Sequence, residues 1–223
     1  MMKEISAVAF DIDGTFYDAW TLWRKMTFYM VKNMGLFWKF LQVRRKLHHM
    51  GFQEDFFATQ YDLMSKATGM SPETVKKMVD ELVYRGFEPF FHKVEALDGI
   101  REFITELKAR NYPLALLSDF PPSQKGDLWG MAHFFDIAMC SEEAGALKPA
   151  PEPFLALSKK MGLPPEKILY VGNSVTNDVI GAHSVGMKTA YLWPKWKKLL
   201  NIKPAEADIS FENYRQLQKI VLE

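Results

Sequence analysis

Apolar and polar positions along this chain change period twice, and the changes divide it into three stretches. The first apolar run, residues 7–10, is short and unbroken and leads straight into Asp11-Ile12-Asp13-Gly14-Thr15. Four apolar residues bounded by turn formers read as a buried strand. From Tyr17 to about Lys93 the apolar residues recur at three and four. They run Trp20, Trp23, Phe28 and Val31, then Leu36, Phe40, Val43 and Leu47, then Phe56, Phe57, Tyr61 and Met64. That period is helical, and these residues are expected to pack the core of the helical stretch and its contact with the rest of the chain. Ser71-Pro72 offers an N-cap followed by proline at the first helical position, so a further helix is expected to about Tyr84.

After Asp98-Gly99 short apolar runs alternate with helical patterns to the end. A helix is expected over 100–110, with Ile100, Phe103, Ile104 and Leu107 on one face and Asn111 as its stop. Apolar runs at 113–117, 137–140, 168–171 and 189–192 read as strands, separated by helices such as 153–160 and 178–185. A short strand at 207–209 and a helix over 214–221 close the pattern. Strands alternating with helices imply a parallel sheet covered on both faces. The expected architecture is α/β: a doubly wound, Rossmann-like core of residues 1–16 and 95–223, with an all-helical domain inserted at 17–94.

Composition narrows the function classes. With 223 residues there is room for a core domain plus a smaller insert, and 48% apolar with 25% charged residues is a globular balance. A net charge of +1 gives no whole-chain electrostatic case for nucleic acid or a membrane surface. The window 28–43 is interrupted by Lys32, Asn33 and Lys39 and is too short and too charged to span a bilayer. The single cysteine, Cys140, excludes an intrachain disulfide and reads as a buried structural thiol in a reducing compartment. The first strand begins too early to leave room for a signal peptide, so a cytoplasmic location is expected. Arg44-Arg45-Lys46 with His48-His49 read as a solvated helix face, and residues 193–201 as a basic, aromatic surface loop.

The candidate chemistry lies at the strand ends. A period of two puts Asp11 and Asp13 on one face just past the first strand, where open α/β sheets bind ligands. The bland reading of Asp-x-Asp-Gly is an ordinary turn, and the functional reading is favoured over it. The second strand ends at Ser118-Asp119, the third is followed by Lys148-Pro149, and the fourth leads into Gly172-Asn173 and on to Asp178. Singly, Ser118 and Lys148 read as a turn residue and a surface charge; as an ordered set at successive strand ends, the four suit phosphoryl transfer. That chemistry needs positive charge, hydrogen-bond donors and an in-line nucleophile. Carboxylates repel a phosphate unless a cation screens them, which implies Mg²⁺ held by Asp11 and Asp178 with other oxygen ligands. Lys148 supplies fixed positive charge and Ser118 a hydroxyl donor. A phosphorylated Asp side chain then splits one difficult hydrolysis into two steps.

In this order the motifs resemble those of the haloacid dehalogenase-like hydrolase superfamily, in particular its phosphatases with a helical cap inserted after the first motif. The resemblance spans essentially the whole chain. It implies that Asp11 is the nucleophile, and that Asp13 is general acid and then base while lending its backbone carbonyl to Mg²⁺. Ser118, Asp119, Lys148, Gly14 and Thr15 become the phosphate-binding set, and Asp11, Asp13, Asn173 and Asp178 the metal set. Family phosphatases usually carry an acid where this chain has Asn173, which removes a charge from the metal site. Family members that displace halide lack the second acid, so Asp13 favours phosphate esters over carbon–halogen bonds. The reaction implied is hydrolysis of a small phosphorylated metabolite. A phosphomutase, or a binding or regulatory protein of weak turnover, stands as the alternative. Trp20, Trp23, Arg24, Arg44 and Arg45 are the candidate substrate contacts of the insert.

Overall fold

The computed structural model describes residues 5–194 and 207–223. Its centre is β1 (Ala7–Phe10), all four residues buried. The other strands are β2 (Leu114–Ser118), β3 (Ile137–Cys140), β4 (Ile168–Gly172), β5 (Lys188–Leu192) and β6 (Ile209–Phe211). They form one sheet in the order β3-β2-β1-β4-β5-β6, every neighbouring pair parallel. The order reverses across β1, so the crevice at its carboxyl end is the place where such sheets take ligands.

The pleat of β1 feeds two cores. Val8 and Phe10 pack with Phe103 and Ile104 of α6 (Ile100–Ala109) and with Tyr214 and Leu217 of the C-terminal helix Tyr214–Leu222. Ala7 and Ala9 face Phe154 and Leu157 of α7 (Pro151–Met161) and Ala182 of α8 (Gly181–Ser184). Small alanines on that side let α7 sit close to the sheet.

Between β1 and α6 the chain forms α1 (Ala19–Lys32), α2 (Met34–Met50), α3 (Phe56–Thr68), α4 (Pro72–Val79) and α5 (Glu88–Phe91). Asp18, Asp55 and Ser71 cap α1, α3 and α4, each side chain accepting a backbone N–H of the first turn. A π-helical turn, Asp80–Tyr84, continues α4. The insertion has its own core, in which Phe37, Phe40, Leu47, Met64, Val75 and Val79 meet Leu147 from the sheet side. An antiparallel bridge between Tyr17 and Ala96 ties together the two strands of chain that lead into and out of it.

Several expectations need correction. On α1 the packed residues are Leu22 and Met26, while Trp20, Trp23, Phe28 and Val31 are 70%, 47%, 83% and 62% exposed. The helix is apolar on two sides, and the side carrying the larger aromatics is the one turned to solvent. Arg44 is buried and ion-paired, so the basic run on α2 is a solvated face only at Arg45, Lys46 and His49. The last strand starts at Ile209 because Asp208 is held as a connector, its carboxylate accepting from Thr189 N and Oγ1. The helix after β4 opens as a π-helical turn, Val175–Ile180. Most of the 193–201 loop, including Trp196 and its three lysines, lies outside the described residues.

Candidate active site

Asp11 follows β1 directly and its N–H bonds Val171 O at 2.9 Å, which anchors the strand end between its neighbours. Its carboxylate is buried and fully engaged. Thr15 Oγ1 donates to Oδ2 at 2.9 Å, and Lys148 Nζ lies 2.7 Å from Oδ1. The same ammonium donates to Asp178 Oδ1 at 2.7 Å and to the Tyr170 hydroxyl at 3.1 Å. Tyr170 in turn donates to Leu117 O at 3.0 Å, so a tyrosine on β4 fixes the lysine against β2. Asp178 Oδ2 accepts from the N–H groups of Asn173 and Ser174 at 3.1 and 2.8 Å. Those bonds require the π-helical turn to lie hard against the end of β4, and Gly172 permits it: a Cβ there would fall 2.4 Å from Asp178 Cβ.

Asp13 occupies a second, more open position. Its Oδ2 accepts from Ser118 Oγ at 2.8 Å and lies 3.1 Å from Lys125 Nζ, and its Oδ1 accepts from the Tyr17 hydroxyl at 2.6 Å. Gly14, at φ +89°, makes the sharp exit from the motif. A Cβ on it would meet Asn173 Nδ2 at 2.2 Å, so Asn173 leans directly over the first motif. Its Oδ1 lies 3.3 Å from Thr15 Oγ1, whose one proton goes to the shorter bond with Asp11. The carboxylate of Asp119 accepts from Lys148 N at 3.1 Å, which holds the lysine loop in place. Among the described residues the N–H groups of Asp13, Gly14 and Asp119 have no acceptor, and they are the donors these positions can offer an anion.

The two aspartates are set apart electrostatically. Burial lifts the Asp11 carboxyl to about 7; the Lys148 ammonium opposes this, while the neighbouring charges of Asp178 and Asp13 add to it. Burial acts on Asp13 in the same sense, but the Lys125 charge and the Tyr17 and Ser118 hydrogen bonds outweigh it and hold the carboxyl below its ordinary value. Lys148 is pressed toward neutrality by burial, yet its two carboxylate partners keep it charged well beyond the ordinary lysine range.

Among the described residues no three His, Cys, Asp or Glu side chains gather into a closed metal cage. The donors here are two carboxylates bridged by one ammonium, an amide oxygen and the turn's backbone carbonyls. Mg²⁺ is commonly held by one or two carboxylates, the rest of its shell being water and substrate phosphate. The set fits that ion, with Asn173 providing a neutral oxygen.

The structure thus gathers the predicted residues into two bonded groups at the end of β1, a network of Asp11, Thr15, Lys148, Asn173 and Asp178 and the pair Asp13 and Ser118, with Gly14 and Asp119 at their edge. It does not bring Trp20, Trp23, Arg24 or Arg45 to the network; they are exposed on the outer helices. Arg44 does face the sheet, donating to Asp119 O at 2.6 Å and pairing with buried Glu142. Three residues went unread in the sequence. Lys125 and Tyr17 act on Asp13, and Tyr170 on Lys148. Lys125 is a lone base in the loop after Ser118, and Tyr17 stands four residues beyond Asp13 on the same side of the exit. Tyr170 carries no signal, being one aromatic in an apolar strand. His48, expected on a solvated face, instead donates from Nδ1 to Lys148 O at 2.6 Å.

The chain is 26% identical over 169 residues to a phosphoglycolate phosphatase of Haemophilus influenzae, covering 74% of this chain and 75% of the relative. It is 27% identical over 170 residues to a glyceraldehyde 3-phosphate phosphatase of Methanopyrus kandleri, covering 73% and 71%. The fold matches the crystal structure of a phosphatase from Thermococcus onnurineus with a TM-score of 0.63 at 23% identity, over 97% of this chain and 98% of the other. A family model matches residues 8–192, from the strand that carries Asp11 to the end of β5, and the chain belongs to the haloacid dehalogenase-like hydrolases.

Proposed function

We propose that this hydrolase is an Mg²⁺-dependent phosphatase of a small phosphorylated metabolite, working through an aspartyl-phosphate on Asp11. The observation that carries the reading is the placement of two aspartates two residues apart at one strand end, one braced by Lys148 and Thr15, the other by Ser118, Lys125 and Tyr17. In the first half-reaction an Asp11 carboxylate oxygen attacks phosphorus. The bond to the leaving oxygen breaks, and that oxygen takes a proton from Asp13. In the second half-reaction Asp13 removes a proton from water, the water oxygen attacks the phosphoryl group, and the acyl-phosphate bond breaks to restore Asp11. Lys148, Ser118 and the free N–H groups of Gly14 and Asp119 hold the equatorial oxygens. Asp11, Asp178, Asn173 and the Asp13 carbonyl would hold Mg²⁺, which neutralises phosphoryl charge when bound.

In this reading residues 17–94 are a cap over the crevice of the core. Support comes from Arg44, His48 and the backbone of Val83 and Tyr84, which bond Asp119, Lys148 and Gln124 on the loops around the site. Closure of such a segment excludes water from a reactive acyl phosphate. Phosphate release from p-nitrophenyl phosphate, titrated with Mg²⁺, tests the proposal. Release should require metal and vanish in Asp11→Asn; undiminished release by that variant sinks it. A phosphomutase would use the same two acids but return the phosphoryl group to substrate instead of releasing it.

A further inference from the structure

Residues 19–53 contain seven lysines and arginines and no aspartate or glutamate. The chain as a whole carries only +1, so the remainder is net acidic and the whole-chain value conceals a strongly basic surface. Arg44 turns inward. Arg24, Lys25, Lys32, Arg45 and Lys46 are exposed and Lys39 is half-buried, and among the described residues none has an ion-pair partner. Lys25 and Lys32 are seven apart on α1, and Lys39 and Lys46 seven apart on α2, so each pair lies along one flank of its helix.

Both helices also leave large apolar residues without a partner in the fold. On α1 these are Trp20, Trp23, Phe28 and Val31; on α2, which follows after the single residue Asn33, Met34 and Trp38 are each 65% exposed. Scattered exposed hydrophobics are ordinary, but a run of indoles and large aliphatics along consecutive helices marks a docking surface. Tryptophan and phenylalanine flanked by lysine and arginine are the composition of helices that lie in a lipid interface.

We propose that this face of α1 and α2 binds the surface of an anionic lipid bilayer. The indoles and Phe28 enter the headgroup layer while the lysine rows meet acidic headgroups. Charge decides against a second copy of the chain: in a two-fold contact the same face meets itself, so unpaired cations would oppose unpaired cations. An anionic lipid surface satisfies the charge and buries the aromatics together.

The test is co-sedimentation with phosphatidylcholine vesicles, with and without phosphatidylglycerol, at low and high salt. The protein should sediment with the anionic vesicles, shift its tryptophan emission to the blue, dissociate as salt rises, and ignore pure phosphatidylcholine. Lys32→Ala/Lys39→Ala should bind about 30-fold more weakly, given the usual contribution of each base near an anionic surface. Phe28→Ala and Trp38→Ala should also weaken binding, with unchanged circular dichroism. Absence of binding at low salt, or equal binding to neutral vesicles, overturns the proposal. So does a concentration-dependent dimer that Trp38→Ala dissolves, which gives the face to a second copy.

Discussion

Replacing Arg44 with methionine tests how the helical insertion is fastened to the sheet. Arg44 comes from α2 and Glu142 from the turn after β3, and their side chains are 6% and 0% exposed. Around them Arg44 donates to Gln60 at 3.2 Å and to Asp119 O at 2.6 Å, and Glu142 accepts from the Tyr84 hydroxyl at 2.8 Å and the Cys140 thiol at 3.3 Å. The guanidinium also lies 4.7 Å from the Phe120 ring centroid. Methionine keeps much of that apolar packing and removes the charge. Stranding one member of a buried ion pair costs about 3–5 kcal/mol. Tyr84 and Cys140 remain as donors to Glu142, so the lower end, about 3 kcal/mol, is the expected loss. Glu142→Gln strands the guanidinium and should cost about 2–3 kcal/mol, since Asp119 O and Gln60 still accept. In the double variant neither charge is stranded, so its loss should fall short of the sum by about 2–3 kcal/mol. Urea unfolding of the four proteins measures this cycle. Single losses under about 1 kcal/mol, or strict additivity, would refute the reasoning, because a solvated pair behaves that way.

Three further outcomes follow from the site. Burial holds the Asp11 carboxyl near 7, above its ordinary 3.8, so the proton must leave before the oxygen can take a metal. Apparent Mg²⁺ affinity, read by calorimetry, should therefore rise as pH increases through about 7 and level off above it; a flat profile from pH 5 to 9 counts against the placement. Gly14→Ala meets both a φ of +89° and an overlap with Asn173 Nδ2. It should lose about 1–2 kcal/mol of thermal stability, the usual cost of a left-handed side-chain residue, together with most of its activity. Asn173→Asp adds a carboxylate beside Thr15 and should tighten Mg²⁺ binding. An unchanged metal titration would remove Asn173 from the metal set.

The centre of the sheet was legible because β1, β2 and β4 are buried along their whole length, and such strands appear as unbroken apolar runs whatever lies around them. Hence β1 and β4 stand where the runs at residues 7 and 168 begin. The first, second and fourth motifs were legible because a strand end delivers its residues to a predictable edge, and Lys148 because its proline and following helix mark a loop. The outer helices were not legible to the same degree. Leu22 and Trp23 are neighbours of similar apolarity, and only the packing partner decides which is buried. Arg44 and Arg45 differ in the same way: one faces Glu142, nearly a hundred positions away in sequence, and nothing local records it. Lys125 and Tyr17 belong to the site by tertiary approach to Asp13, a relation invisible to spacing.

The central claim is that Asp11 carries the phosphoryl group. It is tested most directly by quenching turnover in acid, reducing with borotritide and mapping the label, since reduction of an aspartyl phosphate leaves labelled homoserine. The account predicts label at position 11 in the native protein and none in Asp11→Asn. Steady phosphate release with no label at position 11, or with label on a different residue, would contradict it.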